Sequence, residues 1–410
     1  MGHLGSMQAA GEPSQNAPSA DVTYARTTGA VAAVAAQARA TGRLGLDTEF
    51  LRERTYFAKL CLVQVATPRA ITLIDPLAGC DLTPLAEVLA DPEVEVILHA
   101  GRQDLQIMHE LSGLAPRNVF DVQVAAAFAG YGASLAYGRL VEETVGAKLA
   151  KAESYTDWTR RPLSPAQLAY AADDVRYLLP AADRLKDQLT QLGRLEWARE
   201  EMRSLQGTAL YGRGEDDLWQ KVAGHGVLSA QQTAILKELA IWRDQAAAGR
   251  DVPRAWLIKD PTLLELARRA PATPAELQAI RGLDAHEIAR AGEGILAAIA
   301  RGQQAQPISA RPRPSKEHVA RARMLGNLAD AVVRARAEGA GIAPELVATR
   351  AELEALLMDV MLGHASPERH RLLTGWRGDL AGQAVLALAT GKMALRPLDR
   401  APYIEEIPLS

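Results

Sequence analysis

The chain has 410 residues and a formal net charge of −3, with 48% hydrophobic and 23% charged residues. These values are ordinary for globular proteins, so they exclude collagen-like, coiled-coil and wholly disordered chains and allow two or three domains. Its two cysteines, Cys61 and Cys80, are too few for a disulfide framework or a four-thiolate zinc site. No apolar run approaches the roughly 20 residues of a membrane span, and the N-terminus lacks a signal pattern. The sequence therefore predicts a soluble, cytoplasmic protein.

The first half of the chain alternates β-type and helical patterns. Residues 1–22 are small, polar and proline-containing, which predicts a disordered tail. The runs rich in Val, Ile and Leu predict strands at residues 44–50, 60–66, 71–75 and 95–99. The amphipathic runs predict helices at residues 28–40, 82–90, 101–111 and 164–189. This order favours a mixed α/β sheet flanked by helices over residues 23–205.

The second half carries helical patterns, and no strand is predicted after residue 205. Several glycines at the start of this half indicate hinges or turns, and a polar, proline-rich stretch separates its two helical segments. The predicted segments are a linker at 206–225, a helical domain at 226–302, a linker at 303–315, a second helical domain at 316–396 and a C-terminal tail at 397–410. The sequence thus predicts an α/β domain followed by two all-α domains.

Two acidic residues in one predicted strand are the first candidates for chemistry. Alternation along a strand puts Asp47 and Glu49 on one face with Gly45. The other face is largely apolar and carries Leu44, Leu46, Thr48 and Phe50. Two carboxylates about 6–7 Å apart on one strand face repel each other unless a cation lies between them. A solvated edge strand would also explain such a pair, but the apolar neighbouring strands favour a buried strand with a functional pair.

Three further candidates lie on predicted helices. Asp104 is in the first turn of the third predicted helix, where compensation of the helix dipole would also explain an acid. Tyr170 and Asp174 are four residues apart, hence on one face of the next predicted helix. Such pairs usually lie on the protein surface and have no catalytic role. They indicate an active site only if they converge with the acidic pair on the strand.

In order and spacing, Asp47-x-Glu49, Asp104 and Tyr170-x-x-x-Asp174 resemble the three exonuclease motifs of the DEDDy group of the DnaQ-like superfamily. The surrounding segments are similar to the bacterial ribonuclease D family. These segments are DTEFLRERTY (47–56), SYTDW (154–158), RPL (161–163) and YAADDV (170–175). In the helical half, LAIWR (239–243), VPR (252–254) and KD (259–260) resemble the HRDC domain, and GWR (375–377) resembles a second, more divergent HRDC-type domain.

This resemblance implies an RNase H-like mixed sheet flanked by helices, followed by two HRDC-type domains, and a metal-dependent 3′→5′ exoribonuclease. Phosphodiester hydrolysis needs an activated water and stabilised negative charge, and two hard cations about 4 Å apart supply both. By resemblance, the ligands of two Mg²⁺ or Mn²⁺ ions are Asp47, Glu49, Asp104 and Asp174. Asp47 would bridge the ions, Glu49 would lie on the nucleophile side, and Tyr170 would hold the attacking water.

The resemblance also implies a substrate class and partners. Release of nucleoside 5′-monophosphates from the 3′ ends of transfer RNA precursors and other structured RNAs is the expected reaction. We expect a monomer that binds RNA and no membrane. The candidate RNA ligands are basic residues near the motifs, namely Arg52, Arg54, Lys151 and Arg161. A solvated surface explains each of these about as well as a phosphate contact does.

Two other polar positions are interpreted as structural. His99 lies at the end of a predicted strand, and Asp121 with Gln123 has the pattern of a helix start. Two alternative functions stay open. A non-catalytic nucleic-acid-binding protein could act through its helical domains, but a degenerate enzyme should have lost a carboxylate. A DNA 3′→5′ exonuclease is the rival within the class, although the two helical domains and the lack of helicase or polymerase motifs argue against it.

Overall fold

The computed structural model of the chain describes residues 21–149, 157–207, 215–308 and 315–409. It divides into two compact units. The first unit comprises Met1–Glu49, Cys61–Leu210 and Ala320–Ser410, and the second comprises Phe50–Leu60 and Tyr211–Val319. No helix in the described parts of the chain is both long enough and apolar enough to cross a bilayer. The domain boundaries given above stay a prediction.

A six-stranded mixed sheet forms the centre of the first unit. Its strands are β1 (Asp21–Ala25), β2 (Arg43–Leu51), β3 (Lys59–Ala66), β4 (Ala70–Ile74), β5 (Glu95–Leu98) and β6 (Val119–Asp121). Their order is β1-β4-β3-β2-β5-β6, with β3 and β4 antiparallel and the pairs β1–β4, β2–β5 and β5–β6 parallel. The mixed sheet is confirmed, and β2 lies in its interior. Leu44 and Leu46 of β2 are fully buried.

Helices pack against this sheet. In the described residues up to 207 they are α1 (Thr28–Thr41), α2 (Thr83–Leu89), α3 (Arg102–Ser112), α4 (Val122–Phe128), α5 (Tyr137–Val145), α6 (Pro165–Arg176), α7 (Leu178–Gln191) and α8 (Leu195–Met202). The single helix predicted over 164–189 is wrong, because Tyr177 leaves helical geometry and divides it into α6 and α7. Pro180 explains the break, since its ring clashes with the carbonyl of Arg176 in a continuous helix.

Two short strands were not predicted in this region. Asp21 and Val22, assigned to the disordered tail, begin β1 and pair with Ala70 and Ile71 of β4, so the tail prediction is wrong for these two residues. Residues 1–20 of that predicted tail lie outside the described residues. Strand β6 spans three residues, which is too short for an alternation pattern to be recognised.

The C-terminal residues of the first unit are mainly helical and share its hydrophobic core. The ring of Trp376 packs edge-to-face on Phe128 at 5.0 Å and stacks on Trp197 at 5.5 Å. The helices are Lys316–Gly339, Pro344–Val347, Arg350–Met361, Gly375–Arg377 and Gln383–Ala389. The predicted all-α character is therefore confirmed up to residue 389.

The predicted absence of strands after residue 205 is wrong, as is the predicted tail. Strands β7 (Met393–Pro397) and β8 (Ile404–Pro408) form an antiparallel hairpin. Glu406 of β8 pairs with Arg336 at 2.6 Å, which fixes the hairpin to the helices. Each strand has five residues and ends in proline, a residue that weakens any strand pattern.

The second unit is a helical bundle, and the segment Phe50–Leu60 belongs to this unit. Its helices are Ala230–Gly249, Arg254–Leu257, Asp260–Arg269, Pro274–Leu277 and Ala285–Gln304. Leu236, Leu263 and Ile295 are fully buried in its core. The hydroxyl of Tyr56 donates to Asp244 at 2.7 Å, so the segment is fastened inside this unit.

Candidate active site

Strand β2 carries Asp47 and Glu49 on one face, together with Gly45. A Cβ on Gly45 would lie 3.0 Å from the side chain of Leu179 and 3.3 Å from that of Leu178. Glycine therefore lets the start of α7 approach the strand closely, beside Asp47. The preceding helix, α6, carries the remaining candidates of the third motif. The site forms where these helices meet an interior strand.

Three carboxylates converge there. Oxygen atoms of Asp47, Glu49 and Asp174 lie within 4.8 Å of one another. Burial, reinforced by Asp104, Asp174 and Glu49, raises the pKa of Asp47 well above its usual range. Burial and the neighbouring carboxylates raise the pKa of Glu49 to about 8, and burial followed by the charge of Asp173 raises the pKa of Asp174 to about 7. Carboxylates crowded in this way need protons or cations to be stable.

The fourth carboxylate, Asp104, comes from α3, the helix that follows β5 in the chain. It lies buried in the first turn of α3 and accepts a hydrogen bond from the hydroxyl of Thr48. Its charge raises the pKa of Asp47 and of Glu49, so it belongs to the same site although it lies outside the closest group of three. Burial raises the pKa of Asp104, against the lowering effect of the Thr48 hydrogen bond.

Tyr170 lies one turn before Asp174 on α6. The helix begins with the predicted capping box between Ser164 and Gln167. The ring of Tyr170 lies against Trp158, with centroids 6.0 Å apart, and 38% of the residue is exposed. Burial and the charges of the nearby carboxylates, Asp174 first, raise the pKa of its phenol. Tyr170 therefore stays protonated at neutral pH, so its hydroxyl is able to donate a hydrogen bond.

The structure thus brings together Asp47, Glu49, Asp104, Tyr170 and Asp174, which sequence reasoning selected. Their catalytic and ligand roles stay a prediction. Two neighbours were missed. Thr48 was assigned only to the face away from the acidic pair, and Tyr137 lies outside every motif. Burial, then the charges of Asp174 and Asp47, raises the pKa of Tyr137 well above its usual range.

His99 fits its structural interpretation. Its Nε2 donates to the carbonyl of Leu135 at 2.8 Å, and its ring lies 5.4 Å from that of Tyr137. The loop before α5 is therefore held beside the site by a histidine that points at backbone. Asp121 caps α4 by accepting hydrogen bonds from Gln123 N and Val124 N, so the predicted helix start is confirmed.

The candidate RNA ligands have different surroundings. Arg161 donates to both carboxylate oxygens of Asp75, at 2.8 and 2.7 Å, and to the carbonyls of Cys61 and Trp158. These contacts engage its guanidinium within the protein, and its RNA contact stays a prediction. Lys151 lies outside the described residues. Arg52 and Arg54 are exposed in Phe50–Leu60, and their RNA contacts stay a prediction.

Comparison with known families matches residues 22–190 to a 3′-5′ exonuclease family and residues 232–299 to the HRDC domain. Ribonuclease D of Gluconacetobacter diazotrophicus is 39% identical over 357 residues, which cover 86% of this chain and 88% of that protein. Ribonuclease D of Jannaschia sp. is 38% identical over 390 residues, covering 93% and 98%.

Comparison with solved structures gives a match in the same family as these relatives. The crystal structure of Escherichia coli RNase D, an exoribonuclease involved in structured RNA processing, superposes with a TM-score of 0.76 at 32% identity. The superposition covers 90% of this chain and 98% of that one. Identity and coverage at this level, together with the exonuclease and HRDC matches, establish that the chain belongs to the ribonuclease D family.

Proposed function

We propose that the acidic cluster on β2, α3 and α6 hydrolyses the 3′-terminal phosphodiester bonds of RNA with two divalent cations, Mg²⁺ or Mn²⁺. As a member of the ribonuclease D family the chain is a 3′→5′ exoribonuclease. The proposal adds which residues act and how. The observation that carries it is the convergence of Asp47, Glu49 and Asp174 within 4.8 Å, with the charge of Asp104 beside them.

The donor set fits hard divalent cations. All four acids offer carboxylate oxygens, the ligands that Mg²⁺ and Mn²⁺ prefer. The Oδ2 atom of Asp174 is buried and has no hydrogen-bond partner among the described residues. The raised pKa of Glu49, about 8, is that of a group whose negative charge is not balanced by the protein itself. Asp47, Glu49, Asp104 and Asp174 would therefore hold the ions.

Bound cations would supply Lewis acidity to the phosphate and lower the pKa of a water molecule. The chain's own residues supply orientation. Tyr170 stays protonated because its pKa is raised, so it positions the attacking water through hydrogen bonds rather than removing its proton. Trp158 supports its ring from one side. Attack on the last phosphodiester releases a nucleoside 5′-monophosphate and leaves an RNA one nucleotide shorter.

Transfer RNA precursors and other structured RNAs in the cytoplasm are the proposed substrates, and the protein is proposed to act as a monomer. Escherichia coli RNase D is involved in structured RNA processing, which supports this class of substrate. The second unit supplies a surface of suitable chemistry. A cavity of about 180 Å³ there is lined by Trp256, which is 62% exposed, by the basic residues Arg250 and Arg290, and by the acids Asp284 and Glu287. The exposed indole suits stacking of a base, whereas the two acids offset the charge of the two arginines.

One digestion experiment tests the proposal. RNA and DNA of the same sequence, labelled at the 5′ end, are incubated with the protein and Mg²⁺. We expect a ladder that shortens from the 3′ end on RNA and disappears with EDTA or with Asp47→Ala. Asp187→Ala, which removes an exposed carboxylate from α7, is the matched control and should retain full activity.

The other outcomes separate the alternatives. Digestion that survives Asp47→Ala means that the acidic cluster is not the active site. Equal or faster digestion of DNA favours the DNA exonuclease. RNA binding without digestion at any metal concentration favours a non-catalytic binding protein that uses the cavity of the second unit.

A further inference from the structure

A buried acid next to the site plays no part in the proposed chemistry. Asp121 ends β6, beside β5 in the sheet, and is 2% exposed. A carboxylate is tolerated at such a position only where hydrogen bonds replace its lost water. Its partners are backbone N–H groups, and they come from two different elements.

The first pair of bonds caps a helix. Oδ1 of Asp121 accepts from the N–H groups of Gln123 at 2.8 Å and Val124 at 3.3 Å, at the start of α4. A single side-chain oxygen suffices for this purpose, and serine, threonine or asparagine would cap the helix about as well. The cap alone does not account for a carboxylate.

The second pair of bonds reaches the turn between β5 and α3. Oδ1 also accepts from Ala100 N, and Oδ2 accepts from Gly101 N, both at 3.1 Å. Using both oxygens at once, towards donors on two sides, requires a carboxylate. Asp121 therefore fastens α4 and this turn to one another.

That turn has a conformation that needs external support. Ala100 has φ +54°, in the left-handed region that residues with a Cβ rarely adopt. Gly101 lies so close to Leu98 that a Cβ on it would be 2.7 Å from the leucine side chain. Strained turns of this kind persist where their surroundings fix them, often next to functional groups.

The turn determines where Asp104 lies. Asp104 is three residues beyond Gly101 in the first turn of α3, and its carboxylate accepts the hydroxyl of Thr48, the residue between Asp47 and Glu49. We propose that Asp121 is a positioning residue for the nuclease reaction: it holds the turn 100–101 so that Asp104 meets β2 at the acidic cluster. This inference rests on the proposed function of that cluster.

Two substitutions weaken or remove the link to the turn and preserve the cap. Asp121→Asn retains Oδ1, which serves both α4 and Ala100, and puts an amide N–H₂ where Oδ2 accepts from Gly101. Asp121→Ser retains an N-cap hydroxyl and is too short to reach the turn. We expect each to lower kcat on RNA about tenfold or more with little change in KM. The Mn²⁺ affinity measured by calorimetry should fall by a similar factor.

A double-mutant cycle with Asp104→Asn identifies the path of the effect. If Asp121 acts through Asp104, Asp121→Asn should reduce kcat little further once Asp104 is replaced. Asp359→Asn is the matched control, because Asp359, in the helix Arg350–Met361, is also a buried acid, held by Arg369 and His370 in the loop that follows this helix. It should lower the melting temperature and leave kcat and Mn²⁺ affinity unchanged.

Clear results would overturn the proposal. Wild-type kcat and Mn²⁺ affinity in both folded Asp121 variants would reduce Asp121 to a structural cap. Multiplicative losses in the cycle would show that it acts independently of Asp104. If neither variant folds, Thr48→Val tests the other end of the same link, and unchanged Mn²⁺ affinity there would also contradict the proposal. Failure of the proposed function is a separate result, namely RNA digestion that survives Asp47→Ala.

Discussion

Thr48 donates its hydroxyl hydrogen to the carboxylate of Asp104, and this bond joins the interior strand of the sheet to the first turn of α3. The two residues are 56 positions apart in the sequence and both are buried. Because Thr48 separates Asp47 from Glu49, the bond fixes the helix acid relative to the strand acids. The geometry of the cluster therefore depends on an uncharged side chain.

Replacing Thr48 by valine tests this dependence. Thr48→Val has nearly the same shape but removes this side-chain donor from the buried carboxylate, which should cost about 1–3 kcal/mol of unfolding free energy. We expect RNA hydrolysis to slow about tenfold, as is typical when a residue that orients a metal ligand is lost. Urea denaturation and single-turnover digestion measure the two effects.

Thr233→Val is the control for that substitution. Thr233 is also buried, and its hydroxyl donates to the backbone carbonyl of Ser229 in the second unit. The Thr233→Val variant should be less stable than the wild type and should digest RNA at the wild-type rate. Equal rates for Thr48→Val and Thr233→Val would contradict a role of Thr48 in orienting Asp104.

The metal-free protein should become less stable as the pH rises. The folded-state pKa values of Glu49, about 8, and Asp174, about 7, lie above the ordinary values of 4.5 and 3.8. A group with a raised folded pKa contributes its stability below the unfolded pKa and loses it as the pH rises through the folded pKa. In EDTA, the melting temperature should therefore fall between about pH 5 and pH 8, and Mg²⁺ should restore it at pH 8.

Asp47→Asn is the informative variant for this effect. It removes one of the crowded charges, so at pH 8 in EDTA it should melt above the wild type, by about 1–2 °C for each kcal/mol of stability gained. At pH 5 the difference should shrink, because the wild-type carboxylates are then protonated. A wild-type melting temperature that is constant over this range would contradict the raised pKa values.

Metal binding should release protons. Cations must displace the protons that Glu49 and Asp174 carry near neutral pH, so the affinity for Mn²⁺ should increase as the pH rises from 6 to 8. Calorimetry in two buffers of different ionisation enthalpy counts the protons released. Affinity that is independent of pH, with no proton release, would place the ions elsewhere.

Substitutions in the cavity of the second unit should affect the affinity for RNA more than the rate of hydrolysis. Loss of a stacking platform costs about 1–3 kcal/mol per base, so Trp256→Ala should weaken the binding of a long RNA roughly tenfold. Hydrolysis of a trinucleotide should be unchanged. Met324→Ala, at a residue that is 68% exposed in the first unit, is the control and should alter neither quantity. Fluorescence anisotropy with labelled RNA measures the affinity.

The sequence predicted what depends on local periodicity. Asp47 and Glu49 were identified because alternation in an apolar strand puts both acids on one face, and the start of α6 followed from the capping box at Ser164. The break at Tyr177 was missed because the run continues apolar after it, although Pro180 is a local signal that could have revealed it.

Contacts between distant segments could not be predicted. Nothing near Thr48 in the sequence indicates that its hydroxyl meets Asp104, and nothing near Arg161 indicates its ion pair with Asp75 at 2.7 Å. The same holds for Asp121, whose helix cap is a local pattern but whose bonds to the turn at 100–101 depend on the pairing of β5 with β6.

Anomalous diffraction from crystals soaked in Mn²⁺ tests the central claim most directly, because it locates the ions without reference to activity. We expect anomalous density in contact with the carboxylates of Asp47, Glu49 and Asp174, and its loss in crystals of Asp47→Asn. Density elsewhere and none at this cluster, in a protein that digests RNA in the same Mn²⁺ buffer, would contradict the account.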